Sequence, residues 1–296
     1  MALLVGGRAA IAARLSWLRP SGRLGRLRFG LTVSLVLLTA AAWWLTVDYA
    51  LRMSMPMGIA VRGGMDGDGM AGMAMAGMAS AGWSAEGAII FTAVWAVMMA
   101  AMMLPATAPM VLIFASAQAR RGNAAAISTG IFVAGYLLVW AAVGVVVYGV
   151  VEAGSDLATT LAATERSRWA PLALGATLMV AGLYQFTTLK RACLGHCRSP
   201  LAFLAQHWRA GRRGALAMGL RHGAYCLGCC WALFAVMAAA GVMSLAWMLL
   251  LTLIVFVEKV SPQGARAGAA TGIALTALGI VVAVGAVPMP GLVHLE

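Results

Sequence analysis

The sequence predicts an all-α protein, a polytopic membrane bundle of about seven transmembrane helices, on three observations. Of the 296 residues, 62% are hydrophobic and 10% are charged, and the mean hydropathy is +0.91. Soluble domains average about 45–50% apolar and about 25% charged residues. The chain contains seven apolar runs of the roughly 20 residues that a helix needs to cross a bilayer. These runs lack the alternating polar and apolar residues of a membrane barrel, so helices are favoured.

The predicted spans divide the chain into an arm, a first span, a loop, a core and a tail. We place the spans at 30–51, 88–117, 124–151, 170–189, 223–242, 243–260 and 267–288. The Arg-rich cytoplasmic arm is 1–29, the first span 30–51, the Met-rich external loop 52–87, the six-span core 88–288 and the tail 289–296. Within the core, 200–221 has the pattern of an amphipathic helix lying on the cytoplasmic leaflet.

The positions of the cations predict the orientation. Of the 21 Lys and Arg residues, 17 fall in the arm and in the loops on one side of the predicted spans. By the positive-inside rule the N-terminus is cytoplasmic and the loop 52–87 lies outside. Because orientation explains the net charge of +12, no nucleic-acid partner is expected. We expect a multi-pass protein of a bacterial inner membrane, with the first span as an uncleaved signal anchor.

The predicted external loop is rich in methionine: eight of its 36 residues are Met, set among Gly, Ala and Ser. Such a segment has too little bulk to form a core and is expected to be disordered without a partner. Thioethers are soft, neutral ligands that suit Cu(I), and the loop has no His for an imidazole-based Cu(II) site. The candidate ligands are Met53, Met55, Met57, Met73, Met75 and Met78. A flexible lipid-contacting linker is the alternative interpretation.

The second span carries a further methionine cluster. Met98, Met99, Met102 and Met103 are spaced three and four residues apart, which places them on one stripe of a helix. Pro105 follows at once and cannot donate a backbone hydrogen bond, which frees a carbonyl inside the span. The stripe is therefore a candidate relay for a soft metal ion. Packing is the alternative, because Met fills irregular gaps between helices well.

All five cysteines fall within the 38 residues from 193 to 230, in two groups at the predicted cytoplasmic border. If both groups converge, they form a thiol-rich site with histidines nearby. The candidate ligands are Cys193, His196, Cys197, His222, Cys226, Cys229 and Cys230. Structural disulfides are not expected in the reducing cytoplasm, whereas thiolates suit Cu(I), Zn²⁺ or an iron–sulfur centre. The alternative is that Cys serves only as a small packing residue.

Three other polar features lie near the predicted membrane. Gln185 is expected to hydrogen-bond to a neighbouring helix. Glu258 and Lys259, at the cytoplasmic end of the sixth span, are interpreted as an interfacial pair. His207 is interpreted as a surface residue of the amphipathic segment.

Several motifs between residues 85 and 265 resemble one bacterial family. They are Met98-Met99-Ala-Ala-Met102-Met103-Leu-Pro105, Tyr184-Gln185 with Lys190 and Cys197-Arg198-Ser199-Pro200, Tyr225-Cys226-Leu-Gly-Cys229-Cys230-Trp231, and Glu258-Lys259. The chain resembles the family called predicted metal-binding integral membrane protein, a domain of unknown function. The resemblance implies a metal-binding role in the membrane and leaves the activity open. The arm, the Met-rich loop and the last span lie outside it.

Two kinds of function fit these features, beside that of a non-catalytic subunit of a larger membrane complex. The first is Cu(I) capture, transport or delivery, in which weak thioethers outside lead to strong thiolates inside, with a copper protein or another membrane subunit as partner. Another soft metal is an alternative cargo. The second is a thiol-redox protein that passes electrons through Cys226 and Cys229. No nucleotide-binding loop or hydrolase triad is found, so we expect binding rather than catalysis.

Overall fold

The described part of the chain is a bundle of α-helices, which confirms the predicted all-α class. The computed structural model describes residues 22–52, 83–118, 123–160, 163–240 and 245–284, and these contain nine helices and no strand. The helices are α1 (Gly22–Arg52), α2 (Ala85–Gln118), α3 (Asn123–Thr160), α4 (Ala163–Tyr184), α5 (Thr188–Arg198), α6 (Pro200–His207), α7 (Gly211–Ala240), α8 (Leu245–Val260) and α9 (Gly264–Ala283).

Five of the described helices are long and apolar enough to cross a bilayer. They are α1, α2, α3, α7 and α9. The second half of α4 and α5 make a sixth span if the bent pair counts as one. The sixth predicted span corresponds to α8, whose 16 residues extend about 24 Å, less than the roughly 30 Å of a hydrocarbon core. By length and composition, the described residues thus contain five candidate spans, or six with the bent pair.

The predicted fourth span, 170–189, is broken. Helix α4 ends at Tyr184, and α5 begins at Thr188 after a bend of 63°. Thr187 caps α5: its backbone is extended, and its Oγ1 accepts a hydrogen bond from the Lys190 backbone N at 3.3 Å. A capping threonine satisfies an otherwise free amide at a helix start. The break therefore turns the first cysteine group back toward the bundle on a separate short helix.

The predicted amphipathic segment 200–221 is not one helix. Helix α6 ends at His207, and α7 begins at Gly211, whose φ of +82° is the left-handed conformation that glycine adopts readily. Arg212 and Arg213 are exposed on the first turn of α7. Because arginine is a good helix former, these cations do not end the helix. Residues 211–221 therefore belong to the helix that carries the second cysteine group.

Helix boundaries also differ from the prediction at the N-terminal side of the bundle. Helix α1 begins at Gly22, so the last residues of the predicted arm are helical. Helix α2 begins at Ala85 and continues through Pro105 and Pro109. The rest of the arm, nearly all of the Met-rich loop and the tail lie outside the described residues.

The helices close around a core that contains the methionine and cysteine segments. Helix α1 packs on α2, α2 on α3, α3 on α7, and α4 on α9, while α8 contacts α2, α7 and α9. Small residues allow a close crossing of α4 and α9: a Cβ added to Gly175 of α4 would lie 2.7 Å from the Gly279 carbonyl oxygen of α9. Such contacts between small residues drive helix association in lipid. Many outward apolar side chains, including Leu37 and Leu38 of α1, are exposed, as a lipid-facing surface requires.

Candidate metal site

The second cysteine group lies in the middle of α7. Cys226, Cys229 and Cys230 are buried, with at most 2% of each side chain exposed. The Sγ atoms of Cys229 and Cys230 each donate to the Cys226 carbonyl oxygen, at 3.0 and 2.8 Å. Cys226 is roughly 20 Å from either end of the helix at 1.5 Å per residue. The predicted span begins at 223, close to these thiols, whereas the helix that carries them begins at Gly211.

Helix α5 brings the first cysteine group onto this segment. Cys193 and Cys197 pack against the buried core that contains Cys226 and Cys229. Cys193 Sγ packs on Gly228, where an added Cβ would come within 2.6 Å of the sulfur. All five cysteines are free. The bend after Tyr184 therefore gathers the two sequence groups into one thiol cluster, which comprises Cys193, Cys197, Cys226, Cys229 and Cys230.

A buried lysine touches the thiol cluster. Lys259, at the end of α8, donates from Nζ to Cys226 Sγ at 2.9 Å and lies 3.9 Å from Met103 Sδ. The hydroxyl of Tyr136 lies 3.0 Å from the same Cys226 sulfur. Lys259 and Tyr136 are both buried. A positively charged ammonium group therefore faces a sulfur atom that can carry negative charge.

Glu258 does not pair with its sequence neighbour. Its Oε2 lies 2.6 Å from Lys190 Nζ, and each of these side chains is only 2% exposed. Lys190 also donates to the Gln185 side-chain oxygen. The predicted interfacial Glu258–Lys259 pair is therefore wrong: on a helix, consecutive side chains point about 100° apart, and these two face different partners. Gln185 bonds to a lysine from its own chain segment five residues later.

The methionine stripe of α2 is buried beside the thiol cluster. Met98, Met99, Met102 and Met103 are each at most 1% exposed and pack in one core with Trp95, Tyr136, Trp140 and the α7 cysteines. Met103 is the methionine that shares Lys259 with Cys226. The structure thus brings the Met103 thioether and the Cys226 thiol to the ammonium group of Lys259. The other methionines of the stripe pack in the same core.

The two histidines proposed as ligands have different surroundings. His222 is buried among the rings of Phe132, Tyr136 and Phe203. His196 is partly exposed and stacks on Tyr225, with ring centres 4.1 Å apart. His196 therefore faces an aromatic group at the ends of α5 and α6. The external methionines Met53, Met55, Met57, Met73, Met75 and Met78 lie outside the described residues.

The thiol cluster is not arranged around a metal position in this conformation. In the described segments, no three His, Cys, Asp or Glu side chains form a group that could hold one ion. The thiols of Cys229 and Cys230 are instead turned toward the Cys226 carbonyl oxygen. A metal would have to displace the protons of these thiols, as thiol coordination always requires. Rotation of the two side chains away from that carbonyl would free their sulfurs.

Sequence reasoning missed the two buried lysines. Lys190 was predicted to lie just after the fourth span and Lys259 at the cytoplasmic end of the sixth, yet both are buried and both contact a polar partner inside the bundle. A signal was present, because ionisable residues inside or beside an apolar span are rare and usually functional. Tyr136 gave no such signal, since a tyrosine in an apolar helix is ordinary.

Residues 92–282, about two thirds of the chain, match the family model described as PpoB2, copper chaperone. The chain belongs to this copper chaperone family. The match includes the methionine stripe, all five cysteines and Lys259, and it leaves out the Met-rich loop. No curated protein and no solved structure matches the chain. Family membership thus links the chain to copper and agrees with the metal-binding role that its motifs imply.

Proposed function

We propose that this chain binds Cu(I) as its cargo at the thiol cluster and delivers it to a copper protein or another membrane subunit. The observation that carries the proposal is the contact of one buried ammonium group, Lys259 Nζ, with both Cys226 Sγ and Met103 Sδ. Thiolate and thioether are soft side-chain ligands, and both suit Cu(I). Membership of the copper chaperone family supports the choice of metal.

The charge of the cluster supports a monovalent ion. Cu(I) held by a pair of thiolates carries one net negative charge, and burying such a charge alone is costly. Lys259 is 8% exposed and 2.9 Å from Cys226 Sγ, so its ammonium group can balance that charge. A divalent ion on the same pair would instead leave the lysine unbalanced. The site is therefore suited to Cu(I) more than to Zn²⁺.

We also propose the direction of transfer. Met53–Met78 of the external loop would collect Cu(I) outside, the stripe from Met98 to Met103 would receive it, and the thiol cluster would hold it most tightly. The path runs from weaker thioethers to stronger thiolates and needs no nucleotide. The burial of Met103 beside the thiols supports the last step. The membrane would be a bacterial inner membrane with the N-terminus in the cytoplasm.

A competition experiment tests this function. Detergent-purified protein with reductant is titrated against a chromophoric Cu(I) chelator, and the wild type is expected to remove copper from it. The variant Cys226→Ser/Cys229→Ser should lose that capacity. A surface variant that keeps all five cysteines, such as Gln206→Ala, should retain it. A wild type that removes no Cu(I), or a double variant that removes as much, would overturn the proposal.

A further inference from the structure

His196 and His207 form a pair at the ends of two consecutive short helices. His196 lies in the last turn of α5, and His207 is the last residue of α6. Their ring centres are 6.2 Å apart. The two helices are joined at Ser199 alone, so the chain itself holds the histidines side by side. Both side chains are partly exposed, unlike the three buried thiols of α7.

In both histidines the same ring nitrogen, Nδ1, lies against a backbone carbonyl oxygen. The Nδ1 atom of His196 lies 2.9 Å from the Ala192 carbonyl oxygen, and that of His207 lies 3.1 Å from the Phe203 carbonyl oxygen. A carbonyl oxygen only accepts hydrogen bonds, so Nδ1 carries the proton in each neutral ring and Nε2 keeps its lone pair. Metal-binding histidines are commonly held by this kind of Nδ1–H bond to a backbone carbonyl.

An aromatic ring stacks on one face of each imidazole. His196 lies on Tyr225 with an interplanar angle of 5°, and His207 lies on Phe203 with ring centres 4.9 Å apart. The lone pair of Nε2 lies in the plane of the ring. Aromatic stacking therefore fixes the direction of each lone pair without occupying it.

The separation of the rings suits one shared ion. With metal–nitrogen distances near 2.0 Å, two imidazoles on opposite sides of an ion place their ring centres about 6 Å apart. The 6.2 Å between the ring centres of His196 and His207 matches this separation, and the ion would bind between their two Nε2 atoms. Opposed coordination by two neutral ligands suits a monovalent closed-shell ion, and imidazole is a good ligand for copper.

We propose that His196 and His207 form a two-imidazole site for Cu(I), separate from the thiol cluster. The geometry of the pair stands by itself, whereas the choice of Cu(I) rests on the proposed function. Two neutral imidazoles hold the ion less tightly than thiolates, so the pair is a place from which copper exchanges with a partner. The sequence interpretation was that His207 is a surface residue and that His196 binds the same metal ion as the thiols. This assignment replaces both.

The test is copper loading of the full-length protein in detergent with reductant. Cu(I) is added beyond the capacity of the thiol cluster, and the retained copper and its X-ray absorption spectrum are measured. The wild type should retain additional copper with a nitrogen shell. His196→Gln and His207→Gln should each lose that copper and keep the sulfur-bound ion, while Gln206→Ala, an exposed neighbour of His207, should match the wild type.

The outcomes separate this site from the thiol cluster. Cys226→Ser/Cys229→Ser should lose the sulfur shell and keep the nitrogen shell; loss of both shells would contradict a separate site. Unchanged retention in His207→Gln would overturn the assignment, and so would loss in His196→Gln alone, since His196 would then bind with the thiols. A wild type without a sulfur shell but with the nitrogen shell would refute only the proposed thiol function.

Discussion

Lys259 is the residue on which the electrostatics of the thiol cluster depend. It is buried at the end of α8, and its ammonium group contacts a cysteine on α7 and a methionine on α2. In a bilayer such a charge is costly unless it has a partner. A cation placed against sulfur therefore indicates that the site has to hold negative charge, which a bis-thiolate Cu(I) complex supplies.

Replacing this lysine should weaken copper binding. Lys259→Leu removes one hydrogen bond to a charged group, which is worth about 1.5–3 kcal/mol, so the Cu(I) dissociation constant should rise roughly ten- to hundredfold. Lys259→Arg keeps the charge and should recover most of the affinity. Both constants come from chelator competition. Equal affinity in the wild type and Lys259→Leu would show that the ammonium group does not stabilise the bound ion.

At the scale of elements, a buried ion pair connects α5 to α8. Lys190 and Glu258 are 2.6 Å apart and almost fully buried. This contact holds the helix that carries Cys193 and Cys197 against the helix that carries Lys259. The pair therefore positions both sides of the thiol cluster without touching a sulfur.

Removing one member of this pair should destabilise the protein strongly. Glu258→Gln leaves Lys190 without its counter-charge, and breaking a buried pair in this way costs about 3–5 kcal/mol. The double variant Lys190→Met/Glu258→Leu removes both charges and should recover much of the loss. Thermal unfolding in detergent measures the difference. A single variant that unfolds like the wild type would show that the pair does not hold the two helices together.

The crossing of α4 and α9 should be sensitive to a single methyl group. In the variant Gly175→Ala, the added Cβ would lie 2.7 Å from the Gly279 carbonyl oxygen and 2.8 Å from the Ala283 side chain. Overpacking of this kind costs about 1–3 kcal/mol. Gly130→Ala on α3 is the matched control, because nothing lies within 4 Å of its added Cβ. The control should be slightly more stable than the wild type, because Ala has a higher helix propensity than Gly. Equal unfolding temperatures of Gly175→Ala and Gly130→Ala would contradict the close crossing.

The helices were predictable from the sequence, but several of their boundaries were not. Long apolar runs identify spans because lipid offers the backbone no hydrogen-bond partners. The break after Tyr184 has neither Gly nor Pro to mark it, and the capping Thr187 is a weak signal. The start of α7 was placed too late because Arg221 was taken as a loop residue, although arginine is compatible with a helix.

The site was predictable only in its sulfur content. Grouping of the cysteines indicated that they would meet, since both groups lie beside spans that enter from one side. The partners of Glu258 and Lys259 could not be read from their adjacency, because tertiary packing decides what each face of a helix meets. The pairing of His196 with His207 depends in the same way on the angle between two short helices.

At the scale of the whole molecule, orientation in the membrane decides the direction of transfer. The positive-inside distribution predicts that the start of α2 is outside and that the α5–α6 junction is cytoplasmic. Ala85 and Ser199 are exposed residues at these two places. Ala85→Cys should react with a membrane-impermeant maleimide in intact cells, and Ser199→Cys only after permeabilisation. The background is the labelling of the wild type. If, above that background, Ser199→Cys reacts in intact cells and Ala85→Cys only after permeabilisation, the proposed direction is reversed.

Binding of Cu(I) by the thiol cluster is tested most directly by X-ray absorption at the copper edge. The purified protein, kept reduced, is loaded with less Cu(I) than it has thiol clusters and compared with Cys226→Ser/Cys229→Ser. We predict a spectrum dominated by sulfur neighbours in the wild type and loss of that sulfur shell in the double variant. A wild-type spectrum without sulfur neighbours, or one that the double variant leaves unchanged, would contradict copper binding at this cluster.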